Sequence, residues 1–278
     1  MSAGAPRWFD GRLVSAGEAL PAHTGQGVFE TLRCEHGAAF FTREHLARLE
    51  HGARTLALAW PPPWDPLAAL RALARELGAA PVTLRLSWTP PHLALVARSA
   101  PPPPVEAAAF LAEPGSVEPP RPFGVKTTAR AAYDALRAET LRRGAFEGLV
   151  QTCDGELIEG TITNLFVGVA GELVTPPLAA GALPGIVRAA ILTELEQAPL
   201  WDGRGRAWRA RERALGAAEL AAAEEVLLTN SVVRVLGLCR ILGGAGEVLR
   251  SDLPGADGPL ARALLQRVAL LESATRDP

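Results

Sequence analysis

Short runs with a changing hydrophobic period make up the chain. In TREHLARLEHGARTLAL (42–58) leucines recur at 46, 49 and 56 with Ala53 between them, the spacing of one helical face, and Thr42 stands where an N-cap belongs. DPLAALRALARELG (65–78) repeats the pattern, with Asp65 as N-cap, Pro66 at the first helical position and Gly78 as the stop. The period then falls to two. PVTLRLSW (81–88) and HLALVARS (92–99) predict strands separated by Thr89-Pro90-Pro91 and stopped by the prolines at 101–104.

Beyond these runs, EPGSVEPPRP (113–122) favours extended chain and predicts a linker between a domain at 1–112 and a larger one at 123–278. RAAYDALRAETLRRG (130–144) predicts a helix ended by Gly144, EGLVQTCDGELIEG (147–160) a hairpin turned at Asp154-Gly155, and NLFVGVAGELVTP (164–176) a second one turned at Ala170-Gly171. GALPGIVRAAILTELE (181–196) predicts a helix entered through Pro-Gly, EEVLLTNSVVRVLGLCRIL (224–242) a strand region, and GPLARALLQRVALLESA (258–274) a closing helix. RGRAWRARERA (204–214) reads as a solvated loop and helix start. The fold class expected is mixed α/β in two domains.

Composition narrows the function classes. With 48% apolar residues in 278, the chain has enough for a sizeable core. A formal net charge of -2 argues against nucleic acid as partner, and no run approaches the ~20 apolar residues of a membrane span. The N-terminal MSAGAPRWFDGRLVSAGEAL lacks the apolar core of a signal peptide, so a cytoplasmic location is expected. Cys34, Cys153 and Cys239 form no CxxC pair, and the five histidines form no HExxH, so neither a disulfide framework nor a metal site is indicated.

The basic residues carry one clear anomaly. Of 28 lysines and arginines, Lys126 in RPFGVKTTARAAY is the single lysine. A guanidinium does not serve as a free amine at neutral pH, whereas a lysine amine attacks carbonyls and forms Schiff bases. A Schiff-base lysine holding pyridoxal phosphate needs an acid opposite the pyridine nitrogen, because the protonated ring is the better electron sink. Glu159, which follows Leu157 and Ile158 at the end of the first hairpin, fits that role. The Gly-containing entry to the helix in GALPGIVR leaves backbone N–H groups for a phosphate, with Ile186 and Val187 as donors. In LLTNSVV, the side chains of Thr229, Asn230 and Ser231 offer further polar contacts to the same phosphate.

These segments, in this order, resemble the class IV aminotransferase family, the fold-type IV pyridoxal-phosphate enzymes, from about residue 25 (GQGVFETLR) to about residue 240. That family includes branched-chain and D-amino acid aminotransferases and aminodeoxychorismate lyases. The resemblance implies a small N-terminal α/β domain, a larger, β-barrel-like C-terminal domain, a homodimer, and a small-molecule amino substrate. It makes Lys126 the Schiff-base and proton-carrying residue and Glu159 the partner of the pyridine nitrogen. Arg48 in HLARL matches the phosphate-binding arginine, Leu183 the leucine packed on the ring, Ile186 and Val187 the phosphate turn, Ser231 a second phosphate contact, and Asn164 a structural asparagine. Tyr133 lies too far along the chain from Lys126 to match the tyrosine that some members place near the cofactor oxygen.

The Asn230-Ser231 pair and Arg130, four residues after Lys126, resemble the aminodeoxychorismate lyases, so the first expectation is that lyase, which forms p-aminobenzoate and pyruvate for folate synthesis. The alternatives are an amino acid transaminase of branched-chain or D-amino acid type, and a cofactor-free scaffold of the same fold.

Overall fold

The computed structural model describes residues 6–15, 18–20, 25–100 and 102–276; residues 1–5 and 16–17 of the N-terminal segment, and His23, lie outside them. The chain forms two compact units. One gathers Met1–Pro101, Val125–Ala129 and Glu272–Pro278, the other Pro102–Gly124 and Arg130–Leu271.

In the first unit, β1 (Arg7–Phe9), β2 (Arg12–Val14), β3 (Val28–Glu35), β4 (Ala38–Ala39), β5 (Val82–Thr89) and β6 (His92–Ser99) form one sheet in the order β2-β1-β6-β5-β3-β4. Every pairing is antiparallel. Alternation along the central strands sends Val28, Leu32, Leu84, Leu86 and Trp88 into one core. Helices α1 (Thr42–Thr55) and α2 (Pro66–Arg75) bring Leu49, Leu70 and Leu73 to the same core. Asp65 caps α2 as expected, accepting from the Leu67 N–H at 2.9 Å. Thr42 is the first helical residue rather than the cap; Phe41 takes the cap position in the left-handed region (φ 54°).

The second unit carries β7 (Ala107–Leu111), α3 (Ala131–Arg142), β8 (Glu147–Gln151), β9 (Leu157–Gly160), β10 (Asn164–Val169), β11 (Glu172–Thr175), α4 (Ile186–Gln197), β12 (Leu200–Trp201), β13 (Ala207–Glu212), α5 (Ala217–Ala222), β14 (Glu225–Asn230), β15 (Arg234–Leu242), β16 (Val248–Arg250) and α6 (Pro259–Ala274), whose last turn belongs to the first unit. Its strands run β12-β13-β11-β10-β14-β15-β7-β8-β9, with β16 on β15. Both expected hairpins form. The second turns through Ala170 and Gly171, each at positive φ, as a two-residue turn requires.

Three expectations are corrected. RGRAWRARERA contains a strand, β13, laid parallel to β11 with Arg209 opposite Glu172; the buried Trp208 anchors it and arginines fill its outer positions. The 224–242 run is two antiparallel strands, β14 and β15, joined by a turn in which Asn230 Oδ1 accepts from the Val232 and Val233 N–H groups at 2.8 and 2.9 Å. The division of the chain falls at Pro101/Pro102 instead of within 113–122, because β7 is locked between β15 and β8 in the second unit. Lys126 correspondingly belongs to the first unit.

Candidate active site

The expected site residues fall into two sets, one in each unit. In the first, Lys126 lies on an extended segment paired with the start of β3. Val28 bridges Thr127, the Phe29 N–H donates to the Lys126 carbonyl at 3.0 Å, and the Thr128 N–H donates to the Gly27 carbonyl at 2.9 Å. Gly27 is required here: a Cβ would lie 2.3 Å from Thr89 Oγ1 and 2.7 Å from the Trp88 carbonyl oxygen. Lys126 Nζ sits 4.8 Å from the centroid of the Phe29 ring, and the Arg85 guanidinium carbon lies 3.8 Å from that same centroid. Two cations therefore share one aromatic ring.

Phe29 and Glu30 are neighbours on β3 and so point to opposite faces. Glu30 points inward, fully buried, and meets two side chains three residues apart on α1. Arg48 donates from Nε to Oε1 and from Nη2 to Oε2, both at 2.7 Å, and His45 Nδ1 lies 2.7 Å from Oε2. Burial alone pushes the Glu30 carboxyl up; the charge and hydrogen bonds of Arg48, with His45, outweigh it and hold the group down at about 2. Burial lowers the His45 imidazole, Glu30 opposes that, and the charges of Arg48 and Lys126 add to the lowering. His45 is thus a neutral donor to a charged carboxylate.

In the second unit, Glu159 is the penultimate residue of β9 and is 6% exposed. Three donors reach it: the Tyr133 hydroxyl to Oε1 at 3.1 Å, the Leu183 N–H to Oε2 at 2.9 Å, and Asn164 Nδ2 to Oε2 at 3.3 Å. Asn164 Nδ2 also donates to the Leu183 carbonyl at 2.9 Å, tying the turn before α4 to the acid. That turn passes so close that a Cβ on Gly185 would stand 1.8 Å from Asn164 Oδ1. Gly185 is the N-cap of α4 and has no side chain to cap it, so among the described residues the first-turn N–H groups, Ile186 and Val187 included, receive no side-chain cap.

Thr229 stands directly opposite Asn164 in the β10–β14 register, hence on the same face. Its hydroxyl is buried and without a hydrogen-bond partner among the described residues. The next residue, Asn230, spends its side chain on protein: Nδ2 donates to the Ile162 carbonyl at 3.0 Å while Oδ1 closes the turn carrying half-buried Ser231. Beneath the Glu159–Asn164 loop, buried Glu147 accepts from the N–H groups of Thr161 and Ile162 and from the hydroxyls of Thr161 and Thr163 at 2.5–3.2 Å. Arg130 Nη2 donates to the Thr161 carbonyl at 2.7 Å.

Of the residues expected from sequence, Glu159, Leu183, Ile186, Val187, Asn230 and Ser231 fall in the second unit and Lys126 and Arg48 in the first. Sequence reasoning missed Glu30, His45, Tyr133 and Glu147. One signal was available for Glu30: a carboxylate in the inward phase of Val28, Leu32 and Cys34 must have a buried cation, and His45 and Arg48 recur at helical spacing.

A buried, triply held carboxylate beside an uncapped helix start and an orphaned hydroxyl fits the basic ring nitrogen and the phosphate of a phosphorylated pyridine cofactor. The second unit thus carries the residues of an enzyme that holds such a group. Residues 27–241 match the amino-transferase class IV family, and the chain belongs to that family, whose cofactor is pyridoxal phosphate. It is 27% identical over 288 residues to the branched-chain-amino-acid aminotransferase of Escherichia coli K12, covering 94% of this chain and 88% of that protein. The fold is similar to a Thermoproteus uzoniensis branched-chain aminotransferase solved with norvaline (TM-score 0.81, 22% identity, 99% of each chain). It is also similar to the PLP-bound form of a hypothetical aminotransferase from Mycobacterium tuberculosis (TM-score 0.77, 23% identity, 97% of this chain and 99% of that one). Among the described residues no helix is long and apolar enough to cross a membrane.

Proposed function

We propose that the protein is a pyridoxal-phosphate-dependent transaminase of branched-chain and similar apolar amino acids. The observation that carries the cofactor role is Glu159, a buried carboxylate held by three donors on both of its oxygens. The choice of substrate is supported by relatives 27% identical across 94% of the chain, which are branched-chain aminotransferases.

When bound, the cofactor supplies an electron sink for the bonds of the substrate α-carbon. Lys126 Nζ would be the covalent anchor, and as a free amine it would carry the substrate α-proton. The Glu159 carboxylate would hold a proton on the pyridine nitrogen, and Leu183 would be the apolar neighbour of the ring. In the first unit Arg48, oriented by Glu30, would meet a phosphate; in the second the Ile186 and Val187 N–H groups and the Ser231 hydroxyl would do so, and the Thr229 hydroxyl would find its missing partner in the same group. Asn230 holds the turn that presents Ser231. A homodimer in solution belongs to the same reading, and light scattering coupled to size exclusion tests it.

A second reading is the aminodeoxychorismate lyase, favoured by the Asn230-closed turn and by the Arg130 contact with the Thr161 carbonyl. One experiment separates the two. The holoenzyme is given a panel of L- and D-amino acids with 2-oxoglutarate, and separately 4-amino-4-deoxychorismate with pyruvate detection. Transfer from leucine, isoleucine or valine without pyruvate release is expected; pyruvate release without transfer overturns the transaminase.

A further inference from the structure

We infer that Tyr133 is a positioning residue that orients and electronically tunes the Glu159 carboxylate. The inference rests on the role given to Glu159 above. Tyr133 is the single tyrosine of the chain, against eight phenylalanines, and it is 3% exposed. Its ring packs among Leu136, Val150 and Ile158, a setting that phenylalanine would satisfy equally. What tyrosine adds is the hydroxyl, and that hydroxyl is 3.1 Å from Glu159 Oε1.

The bond has a fixed direction. Burial pushes the phenol far up from its ordinary value, and the charge of Glu159 and its hydrogen bond to that carboxylate push it further. Arg130, whose guanidinium carbon is 5.7 Å from the ring centroid, opposes this, and Glu147 adds to it. The phenol therefore stays protonated and donating throughout the working range. With Leu183 N–H and Asn164 Nδ2 fixed on Oε2, the phenol adds a donor on Oε1, the opposite oxygen, and so fixes the carboxylate plane. It also draws charge from Oε1, so that the acid is a weaker base and a proton shared with a ring nitrogen stays on the nitrogen.

Because the chain has one tyrosine, growth on 3,5-difluorotyrosine alters residue 133 alone, without changing the shape of the site. The holoenzyme is compared as wild type, Tyr133→Phe, the difluorotyrosine form, Glu159→Gln, and the double variant. Readouts are the pH titration of the visible absorption band of the bound cofactor and the pyridoxal phosphate dissociation constant from equilibrium dialysis.

Removing the donor in Tyr133→Phe is expected to move the titration midpoint and to change cofactor affinity by roughly tenfold, the scale of one hydrogen bond to a charged group. The fluorinated phenol, a stronger donor, moves the midpoint in the opposite direction. In the Glu159→Gln background, Tyr133→Phe adds no further shift. If neither replacement of the phenol moves the midpoint while Glu159→Gln does, the inference about Tyr133 is overturned. If Glu159→Gln leaves it unmoved, the role of Glu159 itself fails.

Discussion

Arg48 grips Glu30 through two nitrogens, Nε and Nη2, each 2.7 Å from a different carboxylate oxygen. The pair joins α1 to the core face of β3 at a point where the neighbouring inward residues are apolar. A bidentate arginine is rigid, so Arg48 is held in one orientation. Glu30→Ala strands a cation at the edge of the core and should destabilise the fold by about 3–5 kcal/mol. Urea unfolding measures the loss, and a variant as stable as wild type would show that Arg48 finds its orientation elsewhere.

Acid should act on the same cluster. Glu30 and His45 both have lowered folded-state pKa values, so the unfolded chain binds more protons and stability falls as pH falls. The His45 contribution is present above its ordinary value near 6.5 and declines below it, and the Glu30 contribution declines from about 4.5 toward about 2. Unfolding midpoints across this range should drop in those windows, and His45→Asn should flatten the first. A profile unchanged by that variant would count against a neutral His45.

Lys126→Arg keeps the charge and discards the amine. Turnover should fall by more than about 10³-fold, the scale seen when a covalent catalytic group is lost. Borohydride should fix the cofactor to a peptide containing Lys126 in the wild type and to none in the variant, as read by mass spectrometry. Normal turnover in the arginine variant would remove Lys126 from the chemistry.

Thr229→Val tests the orphaned hydroxyl in two directions. Without cofactor the variant should be more stable by about 1 kcal/mol, since it relieves a buried polar group of its missing partner. Cofactor affinity should weaken several-fold at the same time. Equal affinity in the two proteins would mean that the hydroxyl does not serve the phosphate.

Gly185→Ala drives a methyl group to 1.8 Å from Asn164 Oδ1. The turn that places Leu183 N–H on Glu159 has to shift, at a cost of about 1–3 kcal/mol. Thermal melts of the apoprotein read this, and an unchanged melt would mean the turn has slack.

The sequence made the leucine-spaced helices and the two hairpins legible, because α2 has an Asp-Pro start and the second hairpin an Ala-Gly turn. It concealed β7, AAAFL, whose first four residues are buried without alternation since the strand is flanked on both sides. It concealed β13 as well, because a single large buried residue, Trp208, gives no period. Candidate site residues could be named from sequence wherever a local motif carries them: Lys126, Glu159, the Pro-Gly helix entry. Contacts between distant segments could not be, such as Tyr133 with Glu159 or Glu30 with Arg48, since helix and strand spacing speak only of neighbours.

The pairing of Val125–Ala129 with Gly27–Phe29 limits how this protein can be dissected or recombined. A gene fragment ending at Pro101 would encode the sheet without the segment that completes its edge, and the remaining fragment would carry a lysine with no sheet to receive it. The two units are therefore not exchangeable cassettes. Shuffling with relatives preserves the chemistry only where the crossover leaves residues 27–29 and 125–129 from the same parent.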